Sequence, residues 1–228
     1  NLNELKSQDK MIESLKEEQK ELREDYYIVA KKLSNLRQEK AKEFENLIAK
    51  ELQELAMEKA EFKIEFEEKE PGLNGIDKIE FMITTNPGEE LKPLAKIASG
   101  GELSRIMLAL KTIIAHIDQV DTMIFDEVDS GVGGKTAQKM AEKLALIAKR
   151  RQVMCITHLP QIASMGDNHY FINKQNDEDK TFTKIVLLDE KGKKNELARM
   201  LGGVETTETT MKHAQEMIDM AKDKKVNL

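Results

Sequence analysis

The sequence predicts an α/β fold: a mostly parallel sheet flanked by helices, preceded by one long helix shaped for a coiled coil. Three observations carry that expectation. Residues 1–70 contain neither Gly nor Pro and repeat apolar side chains in heptads. From residue 100 to 173, strand-like and helix-like segments alternate, the pattern of a parallel sheet with helices on its faces. Polar residues able to do chemistry fall where those segments begin and end.

Composition sets the outer bounds. The chain of 228 residues has room for one medium domain plus an extension. Charged residues make up 34% and aromatics 4%, with no Trp, a balance that suits long solvated helices attached to a compact body. The net charge of −6 argues against a uniformly basic nucleic-acid binder. The single Cys155 lies in an apolar run and reads as a core thiol; one cysteine forms no intrachain disulfide. No stretch resembles a signal peptide or a membrane span, so the cytoplasm is the expected compartment.

The first helix rests on two series offset by three residues. One is Leu5, Ile12, Gln19, Tyr26, Leu33; the other is Gln8, Leu15, Leu22, Val29, Leu36. The phase then slips, with Phe44 eleven residues after Leu33 and Leu55 eleven after Phe44, the spacing of a stutter that unwinds a supercoil locally. So narrow a stripe needs a partner, expected from another chain or another part of the protein. Residues 1–59 are therefore expected to form a coiled-coil arm and 60–228 a compact lobe. FKIEF (62–66) and IEFMIT (79–84) alternate like strands around a turn at Asn74-Gly75, and Asn86-Pro87-Gly88 is a further turn. Leu103, Ile106, Met107, Leu110, Ile113, Ile114 and Ile117 trace a helix face. A strand at 122–126, a helix near 135–149, a strand at 153–157 and a short helix after Pro160 follow. HYFINK and TFTKIVLLDE read as a hairpin across 175–180, and helices near 194–201 and 206–222 complete the pattern.

Chemistry concentrates at three junctions. Ser99, Gly100 and Gly101 directly precede a helix, where free backbone N–H groups and the helix dipole favour an anion. Asp126 and Glu127 end an apolar strand, one placed to hold a divalent cation and the other to polarise water. His158 ends the next apolar strand. Each signal is weak alone, since Gly-Gly marks many turns and a histidine at a strand end often caps a neighbouring backbone. Their order and placement within some 60 residues point together to nucleotide hydrolysis. No GxxxxGK[ST] occurs. The nearest match, DSGVGGKT (129–136), has Asp129 where the first Gly belongs, which would set a carboxylate against the phosphates.

These segments also carry a family resemblance. ASGGELSRIMLALK resembles the signature motif of ATP-binding-cassette ATPases, TMIFDEVD their Walker B strand, and CITH their switch-histidine segment. Within that superfamily, NPGEELKPLAKIASGGELSRIMLALK, FDEVDSGVGG, THLPQIA and ELARMLGG (196–203) are similar to the C-terminal lobe of SMC-like ATPases that act in bacterial DNA double-strand-break repair and recombination. The resemblance implies the C-terminal lobe of an ATPase head of P-loop NTPase fold, with ATP and Mg²⁺ as cofactors. It implies that Ser99, Gly100, Gly101 and Glu102 serve ATP held on a facing head. Asp126 would hold Mg²⁺, Glu127 would activate water, and His158 would contact the γ-phosphate. The implied partners are DNA, a second head in an ATP-dependent homodimer, and an N-terminal lobe with the Walker A loop, without which the chain is expected to be inactive; a nucleoid-associated location follows. The loop after Walker B usually ends in Asp; Gly133 stands there, so it receives no role. A structural SMC-type tether is the alternative reading. A transporter subunit fits less well, because it needs no coiled-coil arm. Lys149-Arg150-Arg151 and Lys222, Lys224, Lys225 are the densest basic clusters and read first as solvated helix ends.

Overall fold

A computed structural model describes residues 2–115, 117–177, 180–203 and 206–228. Helix α1 (Leu2–Glu54) is uninterrupted for 53 residues, as the absence of Gly and Pro allows. It stops at Leu55-Ala56, where Ala56 turns into the left-handed region (φ 57°) and the Met57 N–H returns to the Leu52 carbonyl at 2.9 Å.

Strands β1 (Glu61–Gly72) and β2 (Gly75–Thr84) form an antiparallel hairpin in which Phe62 faces Ile83 and Ile64 faces Phe81. Gly75 enters β2 at φ 87°, a conformation that favours glycine. The short β3 (Lys92–Pro93) pairs with β2.

The two halves of α1 live in different environments. On the N-terminal half, Met11, Ile12, Leu15 and Leu22 are exposed, and the stripe continues through Val29 and Leu36. On the C-terminal half, Ile48, Leu52 and Leu55 have no exposed surface and Phe44 packs on Phe62 and Phe81, with ring centroids 6.5 and 6.4 Å away. The phase slip at Leu33, Phe44 and Leu55 thus marks where the helix leaves solvent and settles on the sheet. The hairpin runs back along α1. Ser34 donates to Asp77 at 2.6 Å, Arg37 donates to Asp77 at 2.8 Å and to the Asn74 carbonyl at 2.9 Å, and the Tyr26 hydroxyl donates to the Gly72 carbonyl at 2.9 Å.

The remaining elements are α2 (Gly100–Ile114), β4 (Thr122–Phe125), α3 (Gly134–Ala148), β5 (Gln152–Cys155), α4 (Pro160–Met165), the hairpin β6 (Tyr170–Asp177) and β7 (Lys180–Leu187), α5 (Glu190–Gly202) and α6 (Glu208–Asn227). β4 and β5 are parallel neighbours, in register from Thr122 opposite Gln152 to Phe125 opposite Cys155. They supply the parallel sheet; the other paired strands are antiparallel. One face of the pair buries Met123 and Phe125 in the main core with Ile106, Leu108, Met140 and Ile147, and the other leaves Ile124, Met154 and Ile156 exposed. A second cluster, Leu197, Ala198, Ala214 and Ile218, joins α5 to α6.

Lys143 ties α3 to the end of α1, its ammonium 2.5 Å from Glu51 and 2.7 Å from Glu54. Burial disfavours its charge, but the hydrogen bonds it donates to the two carboxylates, with their charges, outweigh that and hold its pKa above the usual lysine value.

The contrast between the halves of α1 is measurable by urea unfolding of the chain. Leu52→Ala is expected to cost about 2–5 kcal/mol, whereas Leu15→Ala is expected to stay within about 0.5 kcal/mol at low protein concentration. Equal losses would contradict the division.

Candidate functional site

The site forms where the carboxyl ends of β4 and β5 meet the first turn of α2. Ser99 is the N-cap of α2, its hydroxyl accepting from the Glu102 N–H at 3.4 Å. Three further contacts bind this end of α2 to its surroundings. The Ser104 hydroxyl donates to the Asp126 carbonyl at 2.7 Å, Arg105 donates to the Ser130 carbonyl at 2.7 Å, and Thr85 donates to the Glu102 carboxylate at 3.3 Å.

The paired glycines are needed for close approach. A Cβ on Gly100 would stand 2.8 Å from Glu127 Oε2. One on Gly101 would stand 3.0 Å from Ser130 Cβ and 3.2 Å from the Glu127 carbonyl oxygen. Ser99 and Gly100 are exposed, Gly101 is buried and Glu102 is partly buried. The structure therefore brings the SGG segment and Glu127 together within one chain. The Glu127 carboxylate lies at the end of α2 whose dipole favours negative charge.

Asp126 and Glu127 are both exposed and follow β4 directly. Glu127 has φ 55°, left-handed backbone that costs a residue bearing a Cβ about 1–2 kcal/mol. The surrounding turn holds it there: the Ser130 N–H donates to the Glu127 carbonyl at 3.0 Å, and the Val132 N–H to the Asp129 carbonyl at 3.3 Å. Strain of this kind collects where a side chain must be aimed.

His158 lies across from this turn, its side chain 73% exposed. Beneath it is Asp129, only 3% exposed, whose Oδ2 accepts from the Thr157 hydroxyl at 2.5 Å and from the His158 backbone N–H at 3.0 Å. The His158 Nδ1 lies 3.2 Å from the same oxygen. Asp129, Thr157, Ser104 and Arg105 are the residues that reading the sequence missed. An acid between Val128 and Ser130 in a turn carries no periodic signal, and only the fold reveals its burial.

The geometry also bears on DSGVGGKT. Asp129 points inward, the amides of Ser130 and Val132 are used within the turn, and Lys135 is exposed on the first turn of α3. Gly133 is the extended N-cap of α3. Cys155 is partly buried against the core. Burial first, then Asp129 and Asp126, push its pKa up to about 12, which leaves it an unreactive thiol at neutral pH. Of the basic clusters, Lys222, Lys224 and Lys225 pair with Glu190, Glu142 and Asp167 and fasten α6 to its neighbours.

Among the described residues no group of three or more His, Cys, Asp or Glu could hold a metal ion. Asp126 remains a fitting single ligand for Mg²⁺, which is commonly bound through one or two carboxylates with phosphate oxygens and water completing the shell. Among the described residues no helix is long and apolar enough to cross a membrane.

No protein-family model matches the chain. It is 44% identical over 224 residues to a protein named DNA repair protein RecN from Halalkalibacterium halodurans, an alignment covering 96% of this chain and 40% of that protein. It is 40% identical over 236 residues to the protein of the same name from Bacillus subtilis, covering 96% and 41%. The chain thus spans about two fifths of the length of these relatives. Among solved structures it is similar to the Smc head domain with a coiled coil and joint from Pyrococcus yayanosii, with a TM-score of 0.56 and 19% identity over 85% of this chain and 35% of that one. That likeness shows a shared fold.

The strain at Glu127 can be measured. Glu127→Gly is expected to raise stability by about 1 kcal/mol, and Glu127→Ala to give no such gain. Equal urea midpoints for the two variants would show that the left-handed turn carries no strain.

Proposed function

The chain belongs to the RecN family of DNA repair proteins as a segment of about two fifths of its relatives' length, and from that premise we propose that it is the C-terminal lobe of an SMC-like ATPase head. The lobe works in DNA double-strand-break repair and recombination, through heads that dimerise around ATP and separate on hydrolysis. The observation that supports this reading is that Asp126 and Glu127 follow the carboxyl end of one parallel strand while Thr157 and His158 follow that of its neighbour.

Each residue has one task. Ser99 and the amides of Gly100 and Gly101, supported by Glu102, bind the γ-phosphate of ATP held on a facing head. Asp126 holds Mg²⁺, which when bound neutralises phosphate charge. Glu127 orients the attacking water and accepts its proton. His158 stands over the γ-phosphate of the nucleotide on its own head. The Lys-bearing Walker A loop comes from an N-terminal lobe of the same protein. The bare face of Ile124, Met154 and Ile156 is where a neighbouring layer of that head would pack, since a parallel sheet is normally covered on both faces. The apolar stripe on α1 pairs with a second helix to form the arm. DNA is the substrate of the assembled machine, and the cytoplasmic nucleoid its place of work.

The reading is tested by ATP turnover. This chain alone is expected to hydrolyse ATP negligibly, and addition of an N-terminal lobe with its Walker A loop is expected to restore turnover. Robust hydrolysis by the chain alone would overturn the assignment as half of a head. In the assembled protein, Glu127→Gln is expected to trap an ATP-bound dimer and lower kcat by roughly 10²–10⁴-fold, the usual contribution of a positioned acid–base group. Unchanged turnover would remove Glu127 from its role.

A further inference from the structure

We propose that Asp129 is a positioning residue that holds His158 in register with Glu127, acting through the Thr157 hydroxyl and the His158 backbone amide. This rests on the reading of the site given above. Main-chain pairing of the two parallel strands runs out where the Ile156 N–H donates to the Phe125 carbonyl at 3.0 Å. Beyond that bond, one chain continues into Asp126 and Glu127 and the other into Thr157 and His158. Among the described residues no further backbone bond joins them.

Asp129 crosses the gap. Its Oδ2 accepts from the Thr157 hydroxyl at 2.5 Å and from the His158 N–H at 3.0 Å, and the Thr157 oxygen in turn accepts from the Leu159 N–H at 3.0 Å. The carboxylate therefore does for the two loops what the ladder does for the two strands. A carboxylate 3% exposed is expensive to bury without compensation, and among the described residues no Lys or Arg pairs with it. Its compensation comes from the segment that carries His158. A loop under no demand for position would hold an apolar or neutral residue here at lower cost.

Two details give the arrangement its direction. Asp129 belongs to the same turn that holds Glu127 left-handed, closed by the Ser130 N–H on the Glu127 carbonyl. The His158 Nδ1 lies 3.2 Å from Asp129, while most of the side chain faces solvent. The anchor thus fixes the backbone and the near edge of the imidazole and leaves the rest of the ring free to meet a ligand. His158 is anchored by a buried group that belongs to the turn carrying Glu127.

The test has two arms. In this chain, amide hydrogen exchange by NMR is expected to show a protected His158 N–H that exchanges at least about tenfold faster in Asp129→Ala, with the amides of the helix at 134–148 unchanged. Thr157→Val keeps the side-chain volume and deletes one donor, so it carries the same expectation, in the same direction, if Asp129→Ala does not fold. Exchange at the wild-type rate in these variants overturns the proposal. In the assembled protein, Asp129→Ala, which removes the accepting oxygen, is expected to lower kcat by about 10²-fold, the cost of misplacing a reacting group by about 1 Å, with KM little changed. It is expected to add no further loss in a His158→Ala background. Equal losses in both backgrounds also overturn the proposal. Glu127→Gln separates the two failures. If it abolishes turnover while Asp129→Ala leaves kcat intact, the positioning role alone falls. If it leaves turnover intact, the hydrolysis reading falls and the positioning role with it, even where the His158 amide is protected.

Discussion

Everything in this molecule depends on burying one end of a long helix. Ile48, Leu52 and Leu55 are withdrawn completely from water, and they share a core with Ile106 and Leu108 of α2, Phe125 of β4 and Met140 and Ile147 of α3. At about 1.5–3 kcal/mol for each fully buried aliphatic side chain, these contacts outweigh any surface ion pair in the structure. They also fix where α2 can lie. Because α2 is set by its buried face, its first turn has a fixed place against the end of β4, and the SGG segment meets Glu127 as a consequence of core packing. The chemistry at the surface inherits its geometry from a helix whose other end lies in solvent.

The elements most legible in the sequence were those with a clear period. The heptads of α1, the amphipathic face of α2 and the apolar runs of β4 and β5 all appear where their patterns place them, because burial on one face imposes the pattern directly. Boundaries were looser. FKIEF grows into a strand reaching Gly72 because its charged continuation pairs with β2 without needing to be buried. The helix face expected to reach Ile117 ends at Ile114.

The candidate site was legible as a set of positions but not as an assembly. Ser99, Asp126, Glu127 and His158 stand out because each is a polar residue at the end of an apolar segment. What links them does not stand out. Ser104 on the Asp126 carbonyl, Arg105 on the Ser130 carbonyl and Asp129 under His158 are contacts between residues some 22 to 29 positions apart. No period encodes such pairings, and Asp129 in particular reads as one more loop acid until its burial is known. Nor does the sequence disclose that SGG and Glu127 lie against each other, since that follows from where the fold sets the first turn of α2.

The splint of Tyr26, Ser34 and Arg37 against the hairpin has a mechanical meaning. At about 1.5 Å per residue, the 53 residues of α1 span about 80 Å, and the hairpin supports the shaft partway along it. Such a rod is a lever with its pivot in the core, and the hairpin is a brace that turns with it. One degree of tilt at the core moves the far tip of an 80 Å rod by about 1.4 Å, a distance set by helix length alone. A shift at the head too small to break a single core contact is thereby enlarged at the tip. A pull on the tip would return to the head as torque on the helix that ends at Glu54.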